Sequence, residues 1–382
     1  MSTNRQRFNK LCAICFIAVL ALVFLGNLFM KDRSFSSEEN RVLQEMPRLS
    51  PSLYLSGRYE TKLDSYVNDQ FIFRDRLIRV KAAQDMTLGA LVSNGVIRGK
   101  DHYLMEELAV PGRSFQETQA AVLAFRKKYP GKRMYFLLAP NAANILSDKL
   151  PAAVQVADQN GAMDAFFRQL RKSSITPLDV RTPLQEAAKS TQVYYRTDHH
   201  WTTEGAYAAY KSILSAMKIT DTVRYDRETV KNDFRGTLAS KSGFPNGLND
   251  SITIFLPRDH TGARNSIFFF SDTKEKTTDF YQLKHLSEKD AYQVFGGGNH
   301  PSYTVETPRR NGRVLLLLKD SYANCFVPFL AQDFRKIIVV DPRYYFGNLN
   351  TLMTSQGVTD VLFLYNANTL FQDTALKMAL AG

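Results

Sequence analysis

The sequence predicts an α/β protein built on a mainly parallel sheet and carried behind an N-terminal apolar segment. Three observations predict it. Short apolar runs at 134–139, 314–318, 336–340 and 361–365 are each stopped by a polar or turn residue. Stretches with helical periodicity separate them, which is the cadence of strands joined by crossover helices. Residues 11–30 are apolar apart from Asn27, and about 20 such residues span a bilayer.

Arg5, Arg7 and Lys10 precede the apolar run without any acid, while Lys31 and Arg33 follow it with Asp32 between them. The run ends in Leu28-Phe29-Met30-Lys31 without a small-x-small cleavage pattern, so an uncleaved signal anchor over 1–30 is expected rather than a removed signal peptide. The charge balance points to a cytoplasmic amino terminus, a single pass through the cell membrane and an extracytoplasmic body. Cys12 and Cys15 lie inside the apolar run and only Cys325 lies in the body, so the body has no internal disulfide and depends on its core. With 49 Lys and Arg against 37 Asp and Glu the chain is basic, net +12. This favours proximity to anionic lipid or acidic envelope polymers, and it is equally the balance of many exported proteins. Nucleic acid is excluded as a partner, because the charge is scattered and no binding motif accompanies it.

Residues 31–95 read as a membrane-proximal stem, punctuated by Pro47, Pro51 and Gly57, followed by one helix continuing through Arg74, Asp75, Arg76, Leu77, Ile78 and Val80. The α/β domain is expected over 96–382. An amphipathic stretch at 117–128 leads into the strand 134–139, which Pro140 stops. Helical spacing at 162–170 precedes a short strand at 176–180. Thr202 or Thr203 is placed to cap a helix bearing Tyr207, Tyr210, Ile213, Leu214 and Met217. From 225 to 312 the chain turns loop- and β-rich, with Gly243, Pro245, Gly247, Pro257 and Gly262 between strand-like pieces at 252–256 and 266–270, and reads as an insertion. Regular structure resumes with the last three strands and helices near 322–332 and 347–356.

Two segments carry candidate chemistry. Tyr195-Arg196-Thr197-Asp198-His199-His200-Trp201-Thr202 packs an acid, two imidazoles and the only Trp together, just before a helix amino terminus. The strand 314–318 ends in Lys319-Asp320-Ser321, at the carboxyl edge where open parallel sheets bind ligands. Together they suggest a nucleophilic site in which Asp198 orients an imidazole and the imidazole deprotonates Ser321. The backbone N–H groups of Ser321 and Tyr322, with the amides of Asn366 and Asn368 after the last strand, are candidate oxyanion or substrate donors. Taken alone, Asp320-Ser321 also reads as an ordinary helix cap, and Asp198-His199-His200 as a loop with one paired His. A metal site would need ligands from His102, His260, His285 or His300, none in a recognisable spacing, so no metal or other cofactor is expected. Gly296-Gly297-Gly298-Asn299 lacks the Gly-Lys-Ser/Thr of a phosphate loop and reads as a turn. Arg309-Arg310 reads as solvated charge.

The Asp-His-His-Trp run, Ser37-Glu38-Glu39-Asn40-Arg41, Asp69-Gln70-Phe71-Ile72-Phe73-Arg74-Asp75, Val96-Ile97-Arg98-Gly99-Lys100-Asp101, Lys319-Asp320-Ser321-Tyr322-Ala323-Asn324 and Asp341-Pro342-Arg343-Tyr344-Tyr345 resemble the DHHW protein family. That family resembles SGNH-hydrolase-like proteins and is similar to the periplasmic alginate O-acetyltransferases, whose Asp-x-His element precedes the Ser block. The resemblance implies an SGNH-hydrolase-like, flavodoxin-like three-layer α/β/α domain. It implies Ser321 as nucleophile, His200 as base and Asp198 as orienting carboxylate, with Asn366 matching the oxyanion Asn and His199, Trp201 and Arg343 as neighbours. Two departures stand out: the Gly-x-Asn-Asp signature is absent, and Lys319 stands where hydrolases usually present Gly. The activity implied is transfer of an acyl group to a hydroxyl of a cell-envelope polysaccharide, beside a multi-pass membrane O-acyltransferase. A carbohydrate esterase or deacetylase would use the same residues, and a non-catalytic scaffold or glycan-binding accessory would keep the fold without the chemistry.

Overall fold

The computed structural model describes residues 2–36, 41–220, 223–244, 247–258 and 265–381. Ser37, Glu38, Glu39, Asn40, Pro245, His260 and Gly262 lie outside the described residues. The chain divides into two units, Met1–Gly89 and Ala90–Gly382.

In the first unit, helix α1 (Ser2–Phe29) is long and apolar enough to cross a membrane. Asn27, the one polar residue of its apolar run, is engaged at both ends of its amide: Nδ2 donates to the Val23 carbonyl at 2.8 Å and Oδ1 accepts from the Ile72 N–H at 2.8 Å. The single helix expected beyond the stem is instead two, α2 (Arg58–Gln70) and α3 (Arg74–Thr87). The break lies at 71–73, where Phe73 takes a left-handed conformation (φ 59°) and the Ile72 N–H leaves the helical ladder for Asn27.

The second unit is organised by one eight-stranded sheet. Its strands are β1 (Arg133–Ala139), β2 (Thr176–Leu178), β3 (Ile267–Phe270), β4 (Lys276–Thr277), β5 (Ser302–Glu306), β6 (Val314–Lys319), β7 (Lys336–Val340) and β8 (Asp360–Asn366). In space they run β4-β3-β5-β7-β6-β8-β1-β2. The five from β7 to β2 are parallel, and β5, β3 and β4 extend the sheet antiparallel beyond β7. The stretch 225–312 therefore supplies three sheet strands as well as a separate hairpin, Tyr225–Phe234 with Asp250–Pro257.

Alternation along the strands builds two cores, one per face. Leu315 and Leu317 join one with Tyr210, Phe326 and Phe329, while Val314, Leu316 and Leu318 join the other with Phe125, Phe166 and Met353. Helix α4 (Thr203–Ile213) covers the first face; helices Arg113–Lys128 and Gln159–Lys172 cover the second. At the amino ends of the central strands the buried Asp360 carboxylate holds Arg133 at 2.8 Å and Arg313 at 2.6 Å, tying β1, β8 and the start of β6. A small sheet missed in the sequence precedes all this, formed by Val92–Ser93, Val96–Arg98 and Leu104–Glu106.

The helix expected near 322–332 is a 3₁₀ turn, Ser321–Ala323, followed by a four-residue helix, Val327–Leu330. Pro328 has no N–H to continue a ladder from the preceding turn, which shortens the segment. Thr202 is the cap of α4, accepting from the Gly205 N–H at 3.1 Å. Gly296, Gly297 and Gly298 take φ of 73°, 80° and 100°, a left-handed run open only to glycine at this length, and no helix opens behind it.

Candidate active site

The 194–201 loop is closed at its neck, where the Tyr195 N–H donates to the His200 carbonyl and the Thr202 N–H to the Val193 carbonyl. Its crown is held by Asp250, a residue with no motif to announce it. The buried Asp250 carboxylate accepts from Gln192 Nε2, the N–H groups of Arg196 and Thr197, and Thr197 Oγ1, at 2.6 to 3.0 Å.

On that loop Asp198 is fully occupied. Oδ1 accepts from the His200 N–H at 3.0 Å and pairs with His200 Nδ1 at 2.6 Å; Oδ2 accepts from the Thr237 N–H at 2.8 Å and Thr237 Oγ1 at 3.0 Å. His200 Nε2 then lies 2.8 Å from Ser321 Oγ. The three residues expected from the sequence are thus in one hydrogen-bonded line, drawn from two segments 121 residues apart. Burial pushes Asp198 upward, but His199, His200 and its donors pull it well below the usual carboxylate range. Burial and the neighbouring His199 push His200 down to about 4 against the pull of Asp198, so the imidazole is neutral at pH 7. A neutral imidazole with Nδ1–H on a carboxylate presents the Nε2 lone pair to the serine hydroxyl, which is the arrangement of a general base.

The imidazole is also packed against two rings. Tyr292 stacks on it with centroids 3.9 Å apart and planes 9° apart, and His199 lies on it at 3.8 Å. The Tyr292 hydroxyl lies 3.4 Å from both the Ser321 carbonyl and Cys325 Sγ, with its one hydrogen shared between them. Sequence reading missed Tyr292 because it lies in the loop-rich stretch, far from either motif.

Other expected donors are committed elsewhere. The Tyr322 N–H goes to Asp320 Oδ1 at 2.9 Å, because the Asp320 side chain caps its own turn, and the Tyr322 hydroxyl donates to the His199 carbonyl. Of the two serine-turn N–H groups only that of Ser321 keeps no partner among the described residues. Asn368 Nδ2 donates to the Glu107 carbonyl and its Oδ1 accepts from the Ala109 N–H, so Asn368 ties the strand ends to the small sheet. Asn366 donates one Nδ2 hydrogen to the Ala139 carbonyl and accepts from Asn141 Nδ2, both at 3.2 Å. Asn141, buried just beyond β1, was not singled out in the sequence; it forms with Asn366 an amide pair at the carboxyl edge.

Trp201 is a core residue, its Nε1 donating to the Tyr322 carbonyl at 2.9 Å, so it braces the serine turn from below. Lys319 is buried as well: Nζ donates to Asn324 Oδ1 at 2.8 Å and pairs with Asp341 at 3.4 Å. Asp341 in turn receives both arms of Arg343, at 2.9 and 2.6 Å. The position where hydrolases usually present Gly is therefore filled by a buried lysine beneath the turn, whose pKa burial pushes down while Asp341 pulls it back up. Asp198, His199 and His200 bring ligand atoms within 4.8 Å of one another. Both Asp198 oxygens and both His200 ring nitrogens are already engaged, so a metal there would have to displace Ser321 or Thr237.

Residues 96–253 match the family model described as the SGNH hydrolase-like domain of the acetyltransferase AlgX. A probable alginate O-acetylase AlgJ of Pseudomonas putida is 23% identical over 224 residues, covering 57% of this chain and 56% of that protein. The chain thus spans about half the length of the curated relatives it matches. A DHHW family protein from Eubacterium siraeum has the same fold, with a TM-score of 0.62 at 24% identity over 75% of this chain and 95% of that one. Bacillus cereus PatB1, solved with a sulfonyl adduct, gives 0.59 at 20% identity over 73% and 97%. With the sheet order described above, these matches give the chain an SGNH-hydrolase-like fold and make it similar to the DHHW family protein and the alginate O-acetylases.

Proposed function

We propose that the chain is a membrane-anchored O-acyltransferase that works outside the cytoplasm and carries an acyl group on Ser321 to a hydroxyl of an envelope polysaccharide. The observation that supports this most is the line from Asp198 through His200 to Ser321, with contacts of 2.6 and 2.8 Å. Ser321 Oγ attacks the acyl carbonyl of an ester or thioester donor while its proton passes to His200 Nε2. The tetrahedral oxyanion faces the Ser321 N–H, and the intermediate collapses as His200 returns the proton to the leaving group. This leaves an acyl-serine ester. An acceptor hydroxyl then gives its proton to His200 and attacks the ester carbonyl, and His200 returns that proton to Ser321 Oγ as the acyl–serine bond breaks. Asp198, ionised throughout, holds the imidazole in the required tautomer.

The donor would be supplied by a multi-pass membrane O-acyltransferase, and the apolar helix α1 would hold both proteins in one membrane, raising their effective concentration. The similarity to proteins described as alginate O-acetylases supports acetyl as the acyl group and a polysaccharide as acceptor.

The test is mass spectrometry of the full chain in detergent after exposure to an activated acetyl ester. A one-acetyl gain or ester turnover in the wild type, lost in both Ser321→Ala and His200→Ala, is the expected result. No adduct and no turnover in the wild type would overturn the enzyme reading and leave the anchored scaffold. Turnover that releases acetate to water alone, with a polysaccharide acceptor present, would make it an esterase.

A further inference from the structure

We propose that the segment from Phe71 through α3 docks on the bilayer surface, immersing Ile72 and Phe73 in the interfacial layer against anionic phospholipid headgroups. The proposal rests on α1 being the membrane anchor.

At 1.5 Å per residue, the 20 residues from Leu11 to Met30 span about 30 Å, the thickness of a bilayer's hydrocarbon core. Gly26 and Asn27 then lie roughly 5 Å inside its outer boundary. Ile72 is bound to that very turn: its N–H donates to Asn27 Oδ1 at 2.8 Å, and a Cβ at Gly26 would fall 2.7 Å from Ile72 Cδ1. A residue in contact with Gly26 shares its depth. The bond also gives Asn27 a partner where an unpaired amide is costly.

Beside this contact, Phe73, Leu77 and Val80 recur at helical spacing and are 62%, 50% and 65% exposed, an apolar stripe left open among the described residues. At the foot of α1 a cleft of about 380 Å³ is lined by Met30, Phe73, Arg33, Arg74, Arg76 and Arg79, with Asp75 the one acid. Arg33 Nε is buried there without an acceptor among the described residues. Apolar side chains below a rim of guanidinium groups match the acyl boundary and the phosphates above it.

The full chain, reconstituted in vesicles, is read by tryptophan fluorescence. Trp201 is the only native Trp and is fully buried, so it supplies an unquenched baseline. We expect Phe73→Trp and Leu77→Trp to be quenched by lipids brominated near the headgroup and shielded from aqueous iodide, more strongly with brominated phosphatidylglycerol than phosphatidylcholine. Phe346→Trp, at a position 95% exposed, should show the reverse. Iodide quenching at 73 and 77 equal to that at 346 overturns the docking, and equal quenching by the two lipids overturns the anionic preference. Leu28→Trp reports on the anchor itself: quenched by brominated lipid while 73 is not, it leaves the anchor standing and the docking refuted. If 28 is not quenched either, both fall.

Discussion

Gly236 stands so close to Asp198 that a Cβ built on it would lie 2.2 Å from Asp198 Cβ and 2.4 Å from Oδ2. The backbone there, φ −82° and ψ −171°, is open to any residue, so space and not conformation demands glycine. The same approach brings the Thr237 N–H and hydroxyl onto Asp198 Oδ2. The hairpin-side segment thus fixes the carboxylate from the side opposite His200.

Gly236→Ala should therefore push Asp198 out of line with the imidazole. A displacement of about 1 Å in a catalytic group costs on the order of 10²-fold in rate. We expect a loss of that order in kcat for activated-ester turnover, with KM little changed and a lower Tm. Wild-type kcat in the Ala variant would show that Asp198 does not need this contact.

Asp198→Asn keeps the volume and reverses one polarity. Both Asp198 oxygens accept from two donors each, so an amide must turn an NH₂ toward N–H or O–H donors. Activity should fall by roughly 10⁴-fold, as expected when the imidazole loses its tautomer-setting partner. Leaving buried donors unpaired should also cost about 1–3 kcal/mol in denaturant unfolding. An Asn variant with normal turnover would remove Asp198 from the mechanism.

The depressed pKa of His200 sets the pH behaviour. Catalysis needs the neutral imidazole, and burial holds its pKa near 4. The acidic limb of kcat/KM should fall near pH 4, not near the ordinary His value of about 6.5. Stability follows the same sign. A His whose folded pKa lies below its unfolded value contributes fully above about pH 6.5 and loses that contribution as pH falls toward 4. A limb at 6 or above, in a variant series that still assigns it to His200, would contradict the burial argument.

What the sequence disclosed and what it withheld divide along physical lines. The runs ending in Ala139, Lys319, Val340 and Asn366 were readable as strands because both faces are buried and apolar residues are continuous. Ser321, His200 and Asp198 were singled out because a hydroxyl follows such a run and an acid with two imidazoles precedes a helix, and the structure brings the three within hydrogen-bonding distance. The three antiparallel strands β3, β4 and β5 were not recognised as part of the sheet: β3 and β4 pair locally, but they join it only through β5, whose partners β3 and β7 are distant in sequence and leave no local signal. Asp250, Asn141 and Tyr292 escaped for the same reason, since each acts on a partner brought near only by the fold. The engagement of the Tyr322 N–H, expected as an oxyanion donor, has a local cause, the Asp320 side chain accepting from it.

Tyr292 offers the sharpest separation of packing from chemistry. Its ring covers one face of His200 at 3.9 Å while its hydroxyl is tied to the far side of the serine turn. Such a stack is worth about 0.5–1.5 kcal/mol beyond burial, and it keeps water from that face of the base. Tyr292→Phe preserves the stack and should retain most activity. Tyr292→Leu removes it and should lower kcat about three- to tenfold, since 1.36 kcal/mol is a factor of ten. It should also raise the share of acyl groups lost to water over those passed to an acceptor, because the exposed imidazole can now activate a water molecule. The check is the ratio of free acetate to acetylated acceptor at equal conversion. A Leu variant that slows both products alike would mean that Tyr292 positions His200 without guarding it.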